Sequence, residues 1–270
     1  MKKIFSSVAI FLSSFLHSLP VTNPASPALL KEGLIWGSKC DCYGLKMDYI
    51  GDFVNNRYVK DLNGKVSRFS YYSHSGVIIF NAFDLLDVYG WAGVYNYKYN
   101  NNQPDTLGVN YLVQASSKNQ LVWGLGVKAI LWKKNFGACG ATYIGIDSKY
   151  QVAQPTLFNA AYYNGNNALT DNTNYHTREA QVALGVAHKI GLLVPYAALK
   201  WSYFKAKENR GAFIEGMSGS PIISIYHLKS YTHFGFAAGL TLLVKERLSV
   251  GVEYAFNDES SFSINSEVRF

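Results

Sequence analysis

From about residue 45 to its last residue, the chain is a succession of segments in which apolar and polar positions alternate with a period of two. Ten are strongly periodic: 45–57, 67–82, 85–99, 120–132, 137–150, 177–189, 192–206, 231–244, 247–257 and 260–270. A period of two sends successive side chains to opposite faces of a sheet, so each segment predicts a strand with two distinct faces. In 120–132, Leu121, Trp123, Leu125, Val127, Ala129 and Leu131 oppose Gln120, Gly124, Gly126 and Lys128. In 178–188, Ala180, Val182, Leu184 and Val186 oppose Glu179, Gln181, Ala183 and Gly185. In 196–203, Ala197, Leu199, Trp201 and Tyr203 oppose Tyr196, Ala198, Lys200 and Ser202. In 247–257, Leu248, Val250, Val252, Tyr254 and Phe256 oppose Arg247, Ser249, Gly251, Glu253 and Asn257. The last strand sets Phe262, Ile264, Val268 and Phe270 against Ser263, Asn265, Glu267 and Arg269. No long amphipathic helix pattern is present.

One face is bulky and apolar, and the other is small with isolated charges. A soluble sandwich has the reverse burden, with bulk packed inside and abundant charge outside. Lipid outside and a polar lumen inside account for both faces. An unpaired strand edge does not persist in hydrocarbon, so the sheet must close into an all-β, antiparallel transmembrane barrel. The connections agree. Short ones lie near 83–85, 133–136, 189–191 and 245–246, and longer polar ones at 56–66, 100–119, 151–176 and 208–230. Segment 211–228 decides the strand count. Read as a hairpin about Ser218-Gly219-Ser220-Pro221 it gives twelve strands, the reading adopted; read as a loop it gives ten. Either even count places both ends of the barrel chain on the periplasmic side.

The N-terminus differs from the rest. Lys2 and Lys3 precede a short apolar core, Ile4 to Leu16, broken only by serines and ended by Pro20. Residues 1–25 therefore read as a secretory signal, with cleavage expected between Ser18 and Ala25. Residues 26–43 are then a periplasmic N-terminal segment and 44–270 the barrel. Export also makes disulfides permissible.

Composition narrows the class. Only 16 % of residues are charged and 15 % are aromatic, with 20 Tyr and 16 Phe. After the signal no apolar run reaches the about 18 residues of a membrane helix. The net charge is +7, but no dense Lys/Arg cluster points to nucleic acid.

Four stretches and the start of the mature chain carry a resemblance. "NPASPALLKEGLIWGSKCDCYGLKMDYIGDFV" is followed in order by "FNAFDLLDVYGWAGVYNY", "VWGLGVKAILWKKNFGACGATY", "YHTREAQVALGVAHKIGLLVPYAALKWS" and "SVGVEYAFNDESSFSINSEVRF". Together they resemble the chlamydial major outer membrane protein family, a porin family, from about residue 23 to residue 270. The resemblance is strongest in strands and periplasmic turns and absent in the outer loops. It implies an outer-membrane location and passive diffusion of small hydrophilic solutes or ions. This chain departs from the family in its shortened outer loops and its three cysteines.

The face assignment nominates lumen charges: Lys46, Lys128, Lys200, Arg247 and Arg269 against Asp48, Asp52, Glu179, Glu253 and Glu267. Such a set acts as a selectivity filter in an open pore, or pairs internally and fills a narrow barrel. Cys40, Cys42 and Cys139 fall at the periplasmic end in this topology. One internal bridge to Cys139, leaving a thiol for a neighbouring envelope protein, stands against three unpaired cysteines. Trp201, Tyr203, Tyr254, Phe256 and Phe270 sit near strand ends and read as an interfacial girdle. Tyr95, Tyr97 and Tyr99 read as girdle as well, with a stacking slide for solutes as the alternative. The terminal strand ending at Phe270 resembles the signal read by the outer-membrane assembly machinery.

The sequence thus predicts a non-enzymatic porin without cofactor or metal, whose partners are outer-membrane lipid, small solutes and the assembly machinery. A homo-oligomer and disulfide-linked envelope proteins are open further partners. A closed structural or adhesive barrel is the alternative, and an outer-membrane hydrolase the remote one. "GMSGSP" at 216–221 only superficially resembles a protease serine segment.

Overall fold

The computed structural model describes residues 20–34, 43–60, 66–104, 110–117, 119–153, 156–157, 162–163, 166–167, 173–208 and 227–270. Alternating side chains produce ten long strands: β1 (Tyr43–Lys60), β2 (Val66–Ala82), β3 (Leu86–Pro104), β4 (Gln120–Asn135), β5 (Ala141–Ala153), β6 (Thr173–Lys189), β7 (Leu193–Glu208), β8 (Phe234–Val244), β9 (Leu248–Phe256) and β10 (Glu259–Arg269). Each pairs antiparallel with the next, from β1–β2 to β9–β10. β10 returns to β1, with Lys46 opposite Arg269 and Arg57 opposite Glu259, and the ring closes. The Phe270 N–H continues that pairing by donating to Leu45 O at 2.9 Å. β1 begins and β10 ends at the same end, called the inner end below. It is the periplasmic one in the expected topology.

The ring has ten strands and corrects the adopted count of twelve. Leu193–Trp201 of β7 pair directly with Phe234–Leu242 of β8, so no hairpin from 211–228 stands between them in the wall. Residues 209–226 lie outside the described residues. What remains of the expected second arm is a short strand, His227–Ser230. It pairs with Lys205–Lys207 of β7 on one side and with Val59 and Lys60 of β1 on the other. β8, β9 and β10 have ended by that height, so one short strand closes the gap left by three. A turn signal between two apolar runs marks such a patch and a full hairpin alike, which is why periodicity did not separate them.

The outer surface carries the bulk expected of it. Ile78, Leu121, Leu125, Leu184 and Phe234 are each half exposed or more. Trp201 stacks on Tyr203 and His233, and Phe256 on Phe236 and Tyr254, along the outer rim. The inner hairpins are tight. Phe83 and Asp84 join β2 to β3 with φ of 56° and 53°, and Lys245 and Glu246 join β8 to β9 with φ of 52° at both. Left-handed conformation at both central residues of each turn, closed by the Leu85 N–H to Ala82 O at 3.0 Å and the Arg247 N–H to Val244 O at 3.2 Å, matches the twist of the flanking strands.

Two tyrosines correct the girdle assignment. Tyr95 and Tyr97 point inward and are almost fully buried. On β3 the outward positions are Val88, Gly90, Ala92 and Val94, and Tyr89, Trp91, Tyr95 and Tyr97 take the lumen side. Their neighbours make the room: a Cβ at Gly124 would overlap the Trp91 indole, and one at Gly126 the Tyr89 ring. The Tyr99 side chain lies outside the described residues.

The segment before β1 is inside the barrel. Pro20 to Leu30 are all buried, while Lys31, Glu32 and Leu34 emerge at the inner rim. Residues 26–30 therefore lie within the wall, not beneath it as part of a periplasmic segment. Residues 1–19 and 35–42 lie outside the described residues.

Candidate functional site

Ten strands spaced about 4.8 Å apart and tilted about 40° enclose a backbone cylinder roughly 20 Å across. Side chains lining each wall take about 5 Å, half the spacing of two packed sheets, and leave a central space of roughly 10 Å. Charges placed in so narrow a lumen face either water or one another.

In the outer half they face one another. Arg57 bonds Glu179 at 2.6 Å and lies 3.5 Å from Glu259. Lys200 pairs with Glu259 and, at 3.2 Å, with Asp258. Ser202 accepts from Arg57 Nη2 at 3.1 Å and donates to Asp258 at 2.8 Å. Tyr71 donates to Glu179 at 3.4 Å. Burial and the adjacent Glu259 raise the pKa of Asp258, which sits in the turn before β10, and Lys200 and Arg57 oppose them. Around this network Phe69, Tyr71, Tyr95, Tyr97 and Phe204 form an aromatic cluster, with Arg57 5.0 Å from the centre of the Phe204 ring.

The inner half is held differently. Lys46 lies between Asp87 at 3.1 Å and Glu267 at 3.0 Å. Lys149 pairs with Asp147 at 2.9 Å, and Tyr89 donates to Asp147. Asp48 accepts the Ser266 N–H at 3.0 Å, and Asp52 accepts the Phe53 N–H at 2.8 Å. The remaining groups turn to the internal segment. Glu253 accepts the Val21 and Thr22 N–H groups, each at 2.8 Å, and the Tyr196 hydroxyl at 2.9 Å. Lys128 donates to Thr22 Oγ1, Asn23 O and Ser26 Oγ. Arg269 donates to Leu30 O at 2.6 Å and to Asp84 at 2.7 Å.

Nine of the ten nominated lumen charges thus face inward: Lys46, Asp48, Asp52, Lys128, Glu179, Lys200, Glu253, Glu267 and Arg269 are buried. Arg247 is the exception. It precedes β9 at the inner turn, is exposed, and pairs with Glu32 at 2.8 Å. Arg57, Asp87, Asp147, Lys149, Asp258 and Glu259 complete the networks. Arg57 escaped the parity reading because β1 has a bulge between Val54 and Arg57, which restarts the alternation in the opposite phase. Cys139 is exposed with a free thiol at the inner end, where His188 Nε2 lies 2.9 Å from its carbonyl oxygen. Cys40 and Cys42, the other candidates for a bridge, lie outside the described residues, as does "GMSGSP".

A model of the Chlamydia major outer membrane protein family matches residues 1–76. Curated relatives align over the full length of both chains. The major outer membrane porin of Chlamydia trachomatis serovar E is 22% identical over 400 aligned positions, and that of Chlamydia muridarum 22% over 409. The chain is similar over its whole length to the chlamydial major outer membrane porins. It is shorter than those relatives, with 270 residues against an alignment of 400 positions. Like those relatives it is an outer-membrane protein, with lipid around the apolar face of its ring. Among solved structures, the β domain of the Bordetella autotransporter BrkA is 10% identical with a TM-score of 0.40, covering 85% of this chain and 100% of that one. The outer membrane protease OmpT of Escherichia coli is 11% identical with a TM-score of 0.40, covering 85% and 95%.

Proposed function

We propose that this protein is an outer-membrane porin that passes small hydrophilic solutes or ions by diffusion, and that it is not an enzyme. The observation that supports this best is the ring itself, apolar towards lipid and lined inside by charges of both signs. Its relatives carry the name porin. In this reading Lys46, Asp48, Asp52, Lys128, Glu179, Lys200, Glu253, Glu267 and Arg269 set the selectivity when the lumen is hydrated. The partners are membrane lipid, the solutes and, transiently, the assembly machinery that reads the strand ending at Phe270.

One observation favours a closed structural barrel as the second reading. Lys46, Asp52, Arg57 and Lys200, spread over the height of the lumen, are each no more than 1 % exposed. A continuously water-filled channel would leave such groups accessible. Planar-bilayer recording of the refolded protein separates the readings. A porin gives stepwise conductance increments, and silence after verified insertion at high protein load removes the pore.

A further inference from the structure

The ring uses its wall's backbone groups in strand pairing, so a chain inside the lumen cannot add itself as another strand. Its backbone must be satisfied by side chains or by itself. Segment 20–30 does both. Lys149, Lys128, Lys46, Asn81 and Arg269 donate to the carbonyls of Pro20, Asn23, Ser26, Pro27 and Leu30. Glu253 takes two successive N–H groups. Pro20, Pro24 and Pro27 have no N–H to satisfy. A 3-10 turn at Ser26–Ala28 and the Asn23 side chain, which accepts the Ala25 N–H at 2.9 Å, absorb others.

The wall is moulded to this occupant. Val21 packs on Ala183, Ala198, Ala237 and Ala255. A Cβ at Gly145 would lie 2.5 Å from Pro24 O, and one at Gly185 3.0 Å from Pro24 Cγ. Lower down, Leu29 and Leu30 fill an apolar patch with Tyr143, Val194 and Leu243. At the rim Glu246 O accepts the Lys31 and Glu32 N–H groups at 3.0 and 3.2 Å, and Arg269 O accepts that of Leu34 at 2.8 Å.

We propose that the inner half of the lumen is a binding site for an extended, proline-rich peptide backbone, and that Pro20–Leu30 of the same chain is its ligand, a releasable stopper that seals the lumen from the periplasmic side. Recognition runs through Glu253, Lys46, Lys128, Lys149 and Arg269. The stopper bears on the porin reading, because conductance then requires its release, but its placement does not depend on that reading.

The test uses refolded full-length barrels in which Cys40, Cys42 and Cys139 are serine and Ala255→Cys is the reporter beneath Val21. A charged, membrane-impermeant thiol reagent then measures access to the inner lumen. In the full chain the reporter reacts slowly. Glu253→Gln, which removes the charge that holds two stopper N–H groups, speeds labelling at least ten-fold. A variant without residues 20–30 labels faster still, and a synthetic peptide of residues 20–34 slows it again. Equal labelling of the full chain and Glu253→Gln overturns the proposal, as does a peptide without effect on a folded deletion variant. If the deletion variant fails to fold, the full-length pair decides. The failure of every variant to conduct removes the porin reading and leaves the labelling result standing.

Discussion

Glycine and aromatic side chains divide the lumen volume between them. Trp91 and Tyr89 of β3 lean over Gly124 and Gly126 of β4, and Tyr196 of β7 over Gly239 of β8. Each glycine is the hole that a neighbouring ring fills. Gly124→Ala is therefore expected to destabilise the barrel by about 1–3 kcal/mol, the usual cost of overpacking. Adding Trp91→Leu is expected to recover only the part due to the indole, because the new methyl still meets the Tyr150 carbonyl oxygen at 2.5 Å. Urea unfolding of the refolded single and double variants measures both, and additive losses would show that the two positions do not share this space. The alternation of β4 gave the direction of Gly124 from sequence. That Trp91 and Tyr95 point inward was not legible there, because large aromatics suit a lipid-facing girdle as well as a lumen, and only the sheet's phase decides.

At the scale of elements, the hairpins are where sequence and structure part. In strands with one parity throughout, such as β6 and β10, alternation alone gives the face of each residue. β1 changes phase at its bulge, and Arg57, the centre of the outer charge network, was lost with it. The Lys245-Glu246 turn shows a different conflict, since both residues are left-handed without being Gly or Asn. That conformation costs an ordinary L-residue about 1–2 kcal/mol, and Asn tolerates it better. Lys245→Asn is expected to raise stability by roughly 0.5–1 kcal/mol, read as a higher urea midpoint at unchanged slope. An unchanged midpoint would mean that the turn is relaxed in solution. The Lys189–Glu246 ion pair and the Glu246 carbonyl that holds Lys31 and Glu32 give the turn a second task, fixing where the internal segment leaves the barrel.

For the whole molecule, the proposed stopper constrains where the expected secretory signal is cut. Signal cleavage was expected between Ser18 and Ala25, and the anchor on Glu253 begins at Val21. A stopper that keeps its anchor requires cleavage before Val21, so mass spectrometry of the mature protein should find its first residue at or before this position. A start at Asn23 or later would leave Glu253 without its two N–H donors. The sequence by itself determined the class of fold, the lipid-facing surface, the even strand count and nine of the inward charges. These follow from local alternation and from the rule that a sheet in hydrocarbon must close. The tertiary structure decided three things that alternation does not encode. They are the choice of ten strands, the pairing of lumen charges across the barrel, and the occupation of the inner lumen by residues far away in sequence. Each depends on contacts between segments that are distant in sequence and become neighbours only in the folded ring.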